Sequence, residues 1–291
     1  MIGGLSRRFG FGGRRSAGSI DDFRVVAIIS VRTCEPYLER CFAGMIEQGI
    51  DICVIDNDAS PETKAIIERH RDRGIVHVEH FPYPGYFDWV GILALKERLA
   101  RTLDADWVML WDSDEIREAP AGFGSLREAL FRVDREGYNA VNFSEFVFLP
   151  TDREQDFEGR DFVSGLPLYY FFEPRPNHRV TAWKKGPSGV DLQQSAGHAV
   201  SFKGIRIYPE PFALRHYLFL SWRHGVEKYV RREFSADELK RGWSVERAQT
   251  TDKTLRLPSL DEVTRYDEDG QWNRTAPQTR HLCFDYTGLG G

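Results

Sequence analysis

The stretch that indicates the fold most clearly is WVMLWDSDE, residues 107–115. Its five apolar residues, 107–111, are typical of a strand that is buried on both faces of a sheet. The carboxylates of Asp112 and Asp114 follow at positions i and i+2, and in extended backbone they point to the same side. Like charges held together favour a cation between them, and Mg²⁺ and Mn²⁺ prefer oxygen ligands. We therefore predict a divalent-metal site at the end of this strand, with a solvated acidic turn as the alternative.

On the N-terminal side of this stretch, apolar strand-like runs alternate with amphipathic helical segments. Alternation with short connections predicts an α/β fold in which a mostly parallel sheet is covered by helices on both faces. In such sheets the ligand lies beyond the carboxyl ends of the strands. The predicted strands are 25–29, 52–55, 75–78 and 107–111, and the predicted helices are 37–46, 61–73 and 89–103. On the C-terminal side, a helix at 126–136 and a strand at 140–149 follow, and an amphipathic pattern at 222–234 predicts a last helix.

Composition and charge exclude several classes of protein. The 291 residues are 41% hydrophobic and 29% charged, which excludes a disordered chain, and no apolar run reaches the roughly 18–20 residues of a membrane helix. The net charge of −5 argues against nucleic acid as the main partner. None of the four cysteines forms a C-x-x-C pair, which favours a reduced, cytoplasmic compartment.

The N-terminus differs in charge from the rest of the chain. Residues 1–19 hold four arginines, six glycines and no acid. We interpret residues 1–22 as a flexible basic tail. Peripheral contact with an anionic lipid surface, at the inner face of the membrane, is the alternative to a disordered leader.

Polar residues also follow the first two predicted strands. Asp56 opens the turn DNDAS, residues 56–60, where a carboxylate can accept hydrogen bonds from a nucleobase or a ribose. Turn formation and helix capping are the alternative use of this segment. After the first strand comes the segment SVRT, residues 30–33, in which Arg32 can face either a diphosphate or solvent.

Four segments together resemble, in order and spacing, a GT-A type glycosyltransferase similar to the large family 2. They are SVR at 30–32, YLERC at 37–41, DNDAS at 56–60 and DSD at 112–114, within about the first 150 residues. The resemblance implies a Rossmann-like GT-A fold that binds a nucleotide-sugar. It further implies that Asp56 contacts the base, that Asp112 lies near the ribose or the metal, and that Asp114 binds Mn²⁺ or Mg²⁺ through the diphosphate. The complete set of predicted nucleotide-sugar contacts is Ser30, Arg32, Asp56, Asp88, Asp112 and Lys228.

The second half of the chain resembles the family more weakly. The segment LRHY at 214–217, with the Ser, Gly and Lys at 221, 225 and 228, is similar to a pattern that closes some GT-A domains. The resemblance implies that His216 is the third metal ligand, and His198 is a rival for this position. The resemblance also implies that Lys228 or Arg231 approaches the phosphates. A hydrogen-bonded histidine and solvated helix charges are the alternatives.

The residue that deprotonates the acceptor is predicted less directly. Inverting members of the family use an Asp or Glu as general base. The expected acidic pair after a Gly-rich segment is not found between residues 150 and 215. Asp191, which follows GPSG at 186–189, is therefore the first candidate for the base, and Glu145 is the second.

These observations predict a metal-dependent glycosyltransferase that moves a sugar from a nucleotide-sugar to the hydroxyl of a glycan, lipid-linked or small-molecule acceptor, with inversion. A non-catalytic GT-A-like module, and a phosphatase or a nucleotidyltransferase that uses the same Asp-x-Asp, are the alternatives. The lack of glycine in residues 30–35 argues against a nucleotidyltransferase. The expected organisation is a tail at 1–22, a nucleotide-sugar-binding half at 23–150, an acceptor half of the same domain at 151–249 and a loosely packed segment at 250–291.

Overall fold

The N-terminal part of the chain forms a parallel sheet with helical connections. The computed structural model describes residues 18–267 and 271–286. Its first strands pair in the order β3-β2-β1-β4, all parallel, which confirms the predicted α/β fold. The elements of this part are β1 (Val25–Val31), α1 (Glu35–Glu47), β2 (Asp51–Asp56), α2 (Pro61–His70), β3 (Ile75–His80), α3 (Trp89–Thr102) and β4 (Trp107–Trp111).

The central strand β1 shows why these strands are apolar at successive positions. Val25, Ala27 and Ile29 pack into the hydrophobic core on one face of the sheet, and Val26 and Ile28 pack into the core on the other face. All five side chains are at most 1% exposed. Since helices cover both faces, neither face of the strand tolerates a polar side chain.

Local capping fixes where the helices begin and end. Ser60 caps α2 by accepting a hydrogen bond from the Thr63 amide at 3.1 Å, and Pro61 occupies the first turn. At the end of α1, Gly49 adopts φ +72, a left-handed conformation that glycine accommodates at low cost. These caps agree with the boundaries that the sequence predicts.

The remaining strands extend the sheet with mostly antiparallel pairings. β8 pairs antiparallel with β4, β6 lies between β8 and β7, and β9 pairs parallel with β6 and antiparallel with β5. The elements are β5 (Glu115–Glu118), α4 (Leu126–Arg135), β6 (Ala140–Phe148), α5 (Phe162–Gly165), β7 (Leu168–Phe172), β8 (Val180–Lys184), β9 (Phe212–Tyr217), α6 (Trp222–Tyr229), α7 (Ala236–Lys240), α8 (Val245–Ala248) and β10 (Thr264–Arg265).

The last predicted helix is shorter in the structure than in the sequence prediction. The amphipathic pattern at 222–234 predicts one helix, but α6 ends at Tyr229. The chain then leaves the helix because Phe234 forms a bridge with Phe87, and the Phe87 amide donates to the Glu233 carbonyl oxygen at 3.2 Å. This contact brings the segment after α6 to the loop that precedes α3.

The C-terminal segment packs against the sheet, in contrast to the loose packing expected for 250–291. The ring of Trp272 stacks on Phe146 of β6 at 4.0 Å between centroids, and Leu255 and Cys283 are at most 2% exposed. Aromatic residues of β6 and β7 provide the apolar surface that this polar-looking segment covers. Of the predicted basic tail, residues 1–17 lie outside the described residues. Within the described part of the chain, no helix is long and apolar enough to cross a membrane.

Candidate functional site

A cleft of about 1320 Å³ opens at the carboxyl edge of β1 and β4. Its walls come from both halves of the chain: the turn between β4 and β5, the segment after β1, the start of β8, and α6 to α8. The charged and titratable side chains that line it include Arg32, Lys96, Asp112, Asp114, Arg179, His198, His216, Lys228, Arg232, Glu238 and Arg247.

Asp114 lies in the turn between β4 and β5 and is only 9% exposed. The Tyr217 amide donates to its carbonyl oxygen at 2.8 Å, which ties the turn to the end of β9. Its carboxylate Oδ2 accepts a hydrogen bond from Lys228 Nζ and lies 3.3 Å from His216 Nε2. Although burial raises the pKa of Asp114, the Lys228 and His216 cations hold it well below its usual range. The group is therefore a buried, ionised carboxylate.

His216, on β9, lies between two carboxylates. Its Nδ1 is 2.5 Å from Glu145 Oε1, and its Nε2 faces Asp114. Glu145, on β6, accepts from Arg179 Nε at 2.6 Å and Nη2 at 2.9 Å. Burial lowers the pKa of His216, but Asp114 and Glu145 outweigh this effect and raise it to about 9. The chain of hydrogen bonds from Arg179 through Glu145 to His216 thus fixes the imidazole ring so that its Nε2 points at Asp114.

The donor atoms at Asp114 fit a hard divalent cation that takes its remaining ligands from substrate and water. Among residues 18–267 and 271–286, no group of three or more His, Cys, Asp or Glu side chains is arranged to hold a metal ion. Mg²⁺, however, commonly takes one or two carboxylates from the protein and the rest from phosphates and water. Metal-bound histidines usually donate a hydrogen bond from their other ring nitrogen to a carboxylate, and the Nδ1 of His216 contacts Glu145 in this way. Lys228 supplies a counter-charge to Asp114.

Asp112 is more open than Asp114. Its side chain is 46% exposed, and its Oδ1 lies 3.6 Å from Lys96 Nζ. Lys96 itself is 1% exposed and lies 4.8 Å from the centroid of the Trp89 ring, so its charge is held at the base of the cleft. Asp112 therefore has free acceptor capacity toward a ligand.

Two other predicted contacts, Ser30 and Arg32, also line the cleft. The guanidinium of Arg32 lies over the ring of Tyr83 at 3.6 Å, and its Nε is buried without a hydrogen-bond partner among the residues that the structure describes. Stacking on a ring leaves the remaining N–H groups of an arginine available to a phosphate. The structure thus brings Ser30 and Arg32 to the same cleft as Asp114.

Asp56 and Asp88, by contrast, satisfy the backbone of their own turns. Asp56 Oδ1 accepts from the Ala59 amide at 2.7 Å, and Asp88 Oδ1 accepts from the Gly91 amide at 2.9 Å as the cap of α3. Neither side chain lines the cleft, although Asn57 does. Asp56 and Asp112 lie at the same edge of the sheet, but β1 separates their strands, so they are not on neighbouring strands.

The structure places both candidate bases away from a position suited to that role. Asp191 Oδ1 accepts from the amides of Gln193 and Gln194 at 2.7 and 3.0 Å, and it lines a separate depression beside Trp243. Glu145 is 1% exposed, and although burial raises its pKa, Arg179 and the neighbouring histidines hold it well below its usual range. A carboxylate whose oxygens already accept hydrogen bonds from cationic side chains is a poor proton acceptor, so we assign Glu145 the role of positioning His216.

His198, the rival ligand position, lines the cleft but contacts Arg179 Nη1 at 3.0 Å through its Nδ1. Burial and the Arg179 charge hold the pKa of His198 well below its usual range, so the ring is neutral. Its ring stacks on His178 with 5.1 Å between centroids. His216, not His198, is therefore the histidine that faces Asp114.

Among the charged residues of the cleft that the sequence patterns do not single out are Arg232, Glu238 and Arg247. Arg232 lies 5.0 Å over the Phe87 ring, and burial and the neighbouring Arg247 lower its pKa. In the described part of the chain, neither arginine forms an ion pair with an acidic side chain. The only local signal is the capping pattern SADE at 235–238, which marks a helix start and not a ligand.

Part of the chain matches a known protein family. Residues 26–118 match the model of "Glycosyl transferase family 2". The match covers β1 to β5 and includes Asp112 and Asp114. It confirms the resemblance to family 2 that the four sequence segments predict, over these residues. No curated protein sequence matches the chain.

Solved structures with similar backbones include two of S. aureus TarS 1-349. The complex with UDP aligns with a TM-score of 0.43 at 9% identity, covering 68% of this chain and 61% of that chain. A second structure of TarS 1-349 aligns with a TM-score of 0.43 at 11% identity, covering 78% of this chain and 74% of that chain. A putative glucose-1-phosphate thymidylyltransferase from Bacillus anthracis, in complex with a sucrose, aligns with a TM-score of 0.30 at 9% identity, covering 62% and 69%. This chain thus spans 61% of the length of the first of these structures.

Proposed function

We propose that this glycosyltransferase moves a sugar from a nucleotide-sugar to an acceptor hydroxyl in the cleft described above, with the help of a divalent cation. The observation that carries the proposal is the pair formed by Asp114 and His216, anchored by Glu145 at the carboxyl edge of the parallel sheet. Ligands of α/β sheets bind at this edge. The family 2 match over residues 26–118 supports the reaction class.

Four cationic side chains are placed to bind the diphosphate of the donor. Arg32, Lys228, Arg232 and Arg247 line the cleft, and Lys228 already contacts Asp114. Guanidinium groups without ion pairs are suited to phosphate oxygens because their N–H groups form strong charge-assisted hydrogen bonds. Asp112, half-exposed beside Asp114, would accept hydrogen bonds from the ribose.

Asp114 and His216, the latter after loss of its Nε2 proton, would hold Mn²⁺ or Mg²⁺. When bound, such an ion neutralises negative charge that develops on the departing diphosphate. Glu145 and Arg179 keep the His216 ring oriented, and the buried position of Asp114 keeps water away from its carboxylate. The protein residues thus provide a fixed donor set next to the cationic side chains of the cleft.

We infer inversion of the anomeric carbon from the resemblance to family 2. Inversion requires a base on the acceptor side of the cleft, and the placements of Asp191 and Glu145 do not support either residue in that role. The configuration of the product, measured by NMR, tests this inference. A product with inverted configuration is expected, and retention of the donor configuration would contradict it.

Ligand binding is expected to raise the unfolding temperature. A screen of UDP-, GDP- and dTDP-sugars, each with and without Mn²⁺, should give one nucleotide class that stabilises the protein. A ligand at 100 times its Kd adds about 2.7 kcal/mol, which is easily measured. EDTA should remove most of the shift, because Asp114 and His216 supply only part of the ion's coordination.

The same screen separates the parts of the proposal. A shift that is equal in Mn²⁺ and in EDTA would contradict the cation site and leave Lys228 as the charge that meets the diphosphate. No shift with any nucleotide-sugar would contradict the glycosyltransferase proposal itself. Nucleoside diphosphates without the sugar serve as the control for binding through the phosphates alone.

A further inference from the structure

One carboxylate of the cleft wall is buried with little polar contact. Glu238, on α7, is 0% exposed, and within residues 18–267 and 271–286 no donor makes a well-formed hydrogen bond to Oε1 or Oε2. Burial raises the pKa of Glu238, against the opposing effects of the nearby Ser244 hydroxyl and of the Arg247 and Arg232 charges. A buried carboxylate without hydrogen bonds costs several kcal/mol unless a ligand supplies them.

Local structure does not account for this side chain. The pattern SADE at 235–238 predicts a capping box in which the Glu238 carboxylate accepts from the Ser235 amide. Of the two hydrogen bonds of a capping box, only the one from the Glu238 amide to Ser235 Oγ forms, at 3.1 Å. The carboxylate stays in the cleft wall instead of capping its own helix.

The surroundings of Glu238 indicate what kind of group would satisfy it. Phe87 and Trp89 stack on each other at 5.5 Å with 17° between their planes, and both line the cleft together with Trp243. Aromatic faces beside a carboxylate suit a sugar ring, which offers apolar C–H groups and hydroxyl donors. A phosphate oxygen offers Glu238 no hydrogen-bond donor, whereas a sugar hydroxyl does.

We propose that Glu238 binds hydroxyl groups of a sugar ring in this cleft, as a sugar-binding residue that neither the family match nor the sequence pattern assigns. The inference rests on the proposed function for the identity of the ligand. The neighbouring arginines, placed to bind a diphosphate, favour the sugar of the donor. The sugar of an acceptor presents the same hydroxyl chemistry, and the test distinguishes the two sources.

Glu238→Gln is compared with wild type and with Asp237→Asn, which removes one charge from an exposed position of the same helix. The probes are the nucleotide-sugar that stabilises wild type most, its nucleoside diphosphate, and methyl glycosides of glucose, galactose and N-acetylglucosamine. Loss of a hydrogen bond to a charged group predicts an affinity about 10- to 100-fold weaker for the sugar-containing probe. Affinity for the nucleoside diphosphate should be unchanged, and D237N should behave as wild type.

The results have distinct meanings. Weaker binding of the nucleotide-sugar assigns Glu238 to the donor sugar, and weaker binding of the methyl glycosides with the nucleoside diphosphate present assigns it to the acceptor. Unchanged binding of both probes overturns the inference, as does a lower unfolding temperature of ligand-free E238Q with normal binding, because that combination indicates a structural role. Wild type that binds glycosides through Glu238 but no nucleotide would contradict the proposed function and not this inference. Wild type that binds neither contradicts both.

Discussion

Asp114→Asn is expected to lower sugar transfer by about 10²- to 10³-fold or more, the size of effect seen when one electrostatic stabiliser of a transition state is removed. The substitution keeps the shape of the side chain and removes the charge that faces His216 and Lys228. Without that charge the donor set for the cation is incomplete. The measurement is the initial rate of transfer from the nucleotide-sugar selected by the thermal screen, with Mn²⁺ present.

The same substitution is also expected to destabilise the protein. Asp114 is buried, so D114N leaves the Lys228 ammonium with only the Leu218 carbonyl oxygen, at 2.6 Å. Breaking a buried ion pair on one side typically costs about 3–5 kcal/mol. Urea unfolding of D114N and of the double variant D114N/K228M separates the two effects, because the double variant should recover stability but not activity.

Asp112→Asn is the matched control for this prediction. Asp112 is half-exposed and its Oδ1 lies 3.6 Å from Lys96 Nζ, beyond hydrogen-bond distance, so D112N should cost less stability than D114N even though Lys96 is buried. It should affect donor binding more than folding. Wild-type turnover in D114N, at full metal occupancy, would rule out the proposed role of Asp114.

Arg179→Met is expected to destabilise the protein as strongly as D114N, by about 3–5 kcal/mol. Arg179 donates two hydrogen bonds to Glu145, at 2.6 and 2.9 Å, and both side chains are buried. The variant leaves the Glu145 charge with only histidine partners. Urea unfolding measures the loss, provided the unfolding transition is two-state.

An exposed pair of equal length provides the control for the buried one. Arg98 Nη2 lies 2.6 Å from Glu79 Oε1, with side chains 51% and 28% exposed. Because solvent screens this pair, R98M should cost at most about 1 kcal/mol. Equal losses in R179M and R98M would contradict the argument from burial.

A double variant tests whether Glu145 positions His216 or only fills the core. E145M/R179M replaces both charges with apolar side chains, and such replacement of a buried pair is often close to neutral for stability. The His216 ring would nevertheless lose the acceptor of its Nδ1. We therefore expect near-wild-type unfolding with weakened Mn²⁺ affinity, by about 10- to 100-fold, measured by calorimetry. Unchanged affinity would show that Glu145 does not orient the imidazole.

The sequence by itself determines the architecture of the first half. Apolar runs such as Val25–Val31 and Trp107–Trp111 have the length and continuity of strands buried on both faces, and the helices between them force parallel pairing. Since parallel strands end at one edge, the position of Asp112 and Asp114 at that edge follows from chain order alone. The caps at Ser60 and Gly49 are equally local.

What the sequence does not determine is which distant side chains meet. Asp114 contacts His216 and Lys228 across separations of 102 and 114 residues, and Arg179 contacts Glu145 across 34. Local periodicity contains no information on strand order, so neither these contacts nor the separation of Asp191 from the cleft follows from it. The resemblance to family 2 supplied His216 as a candidate, but not its anchoring carboxylate.

The second half shows the same division most clearly. The hydrophobic periodicity of its antiparallel strands and of the C-terminal segment is weak. These elements are held instead by aromatic contacts between distant residues, such as that of Trp272 with Phe146, which local periodicity does not reveal. Glu238 illustrates the point at a single position: its local pattern is that of a helix cap, and only the tertiary structure buries its carboxylate in the cleft wall. Local sequence fixes elements through backbone and side-chain preferences, whereas the burial and pairing of charges depend on surfaces that form only when those elements pack.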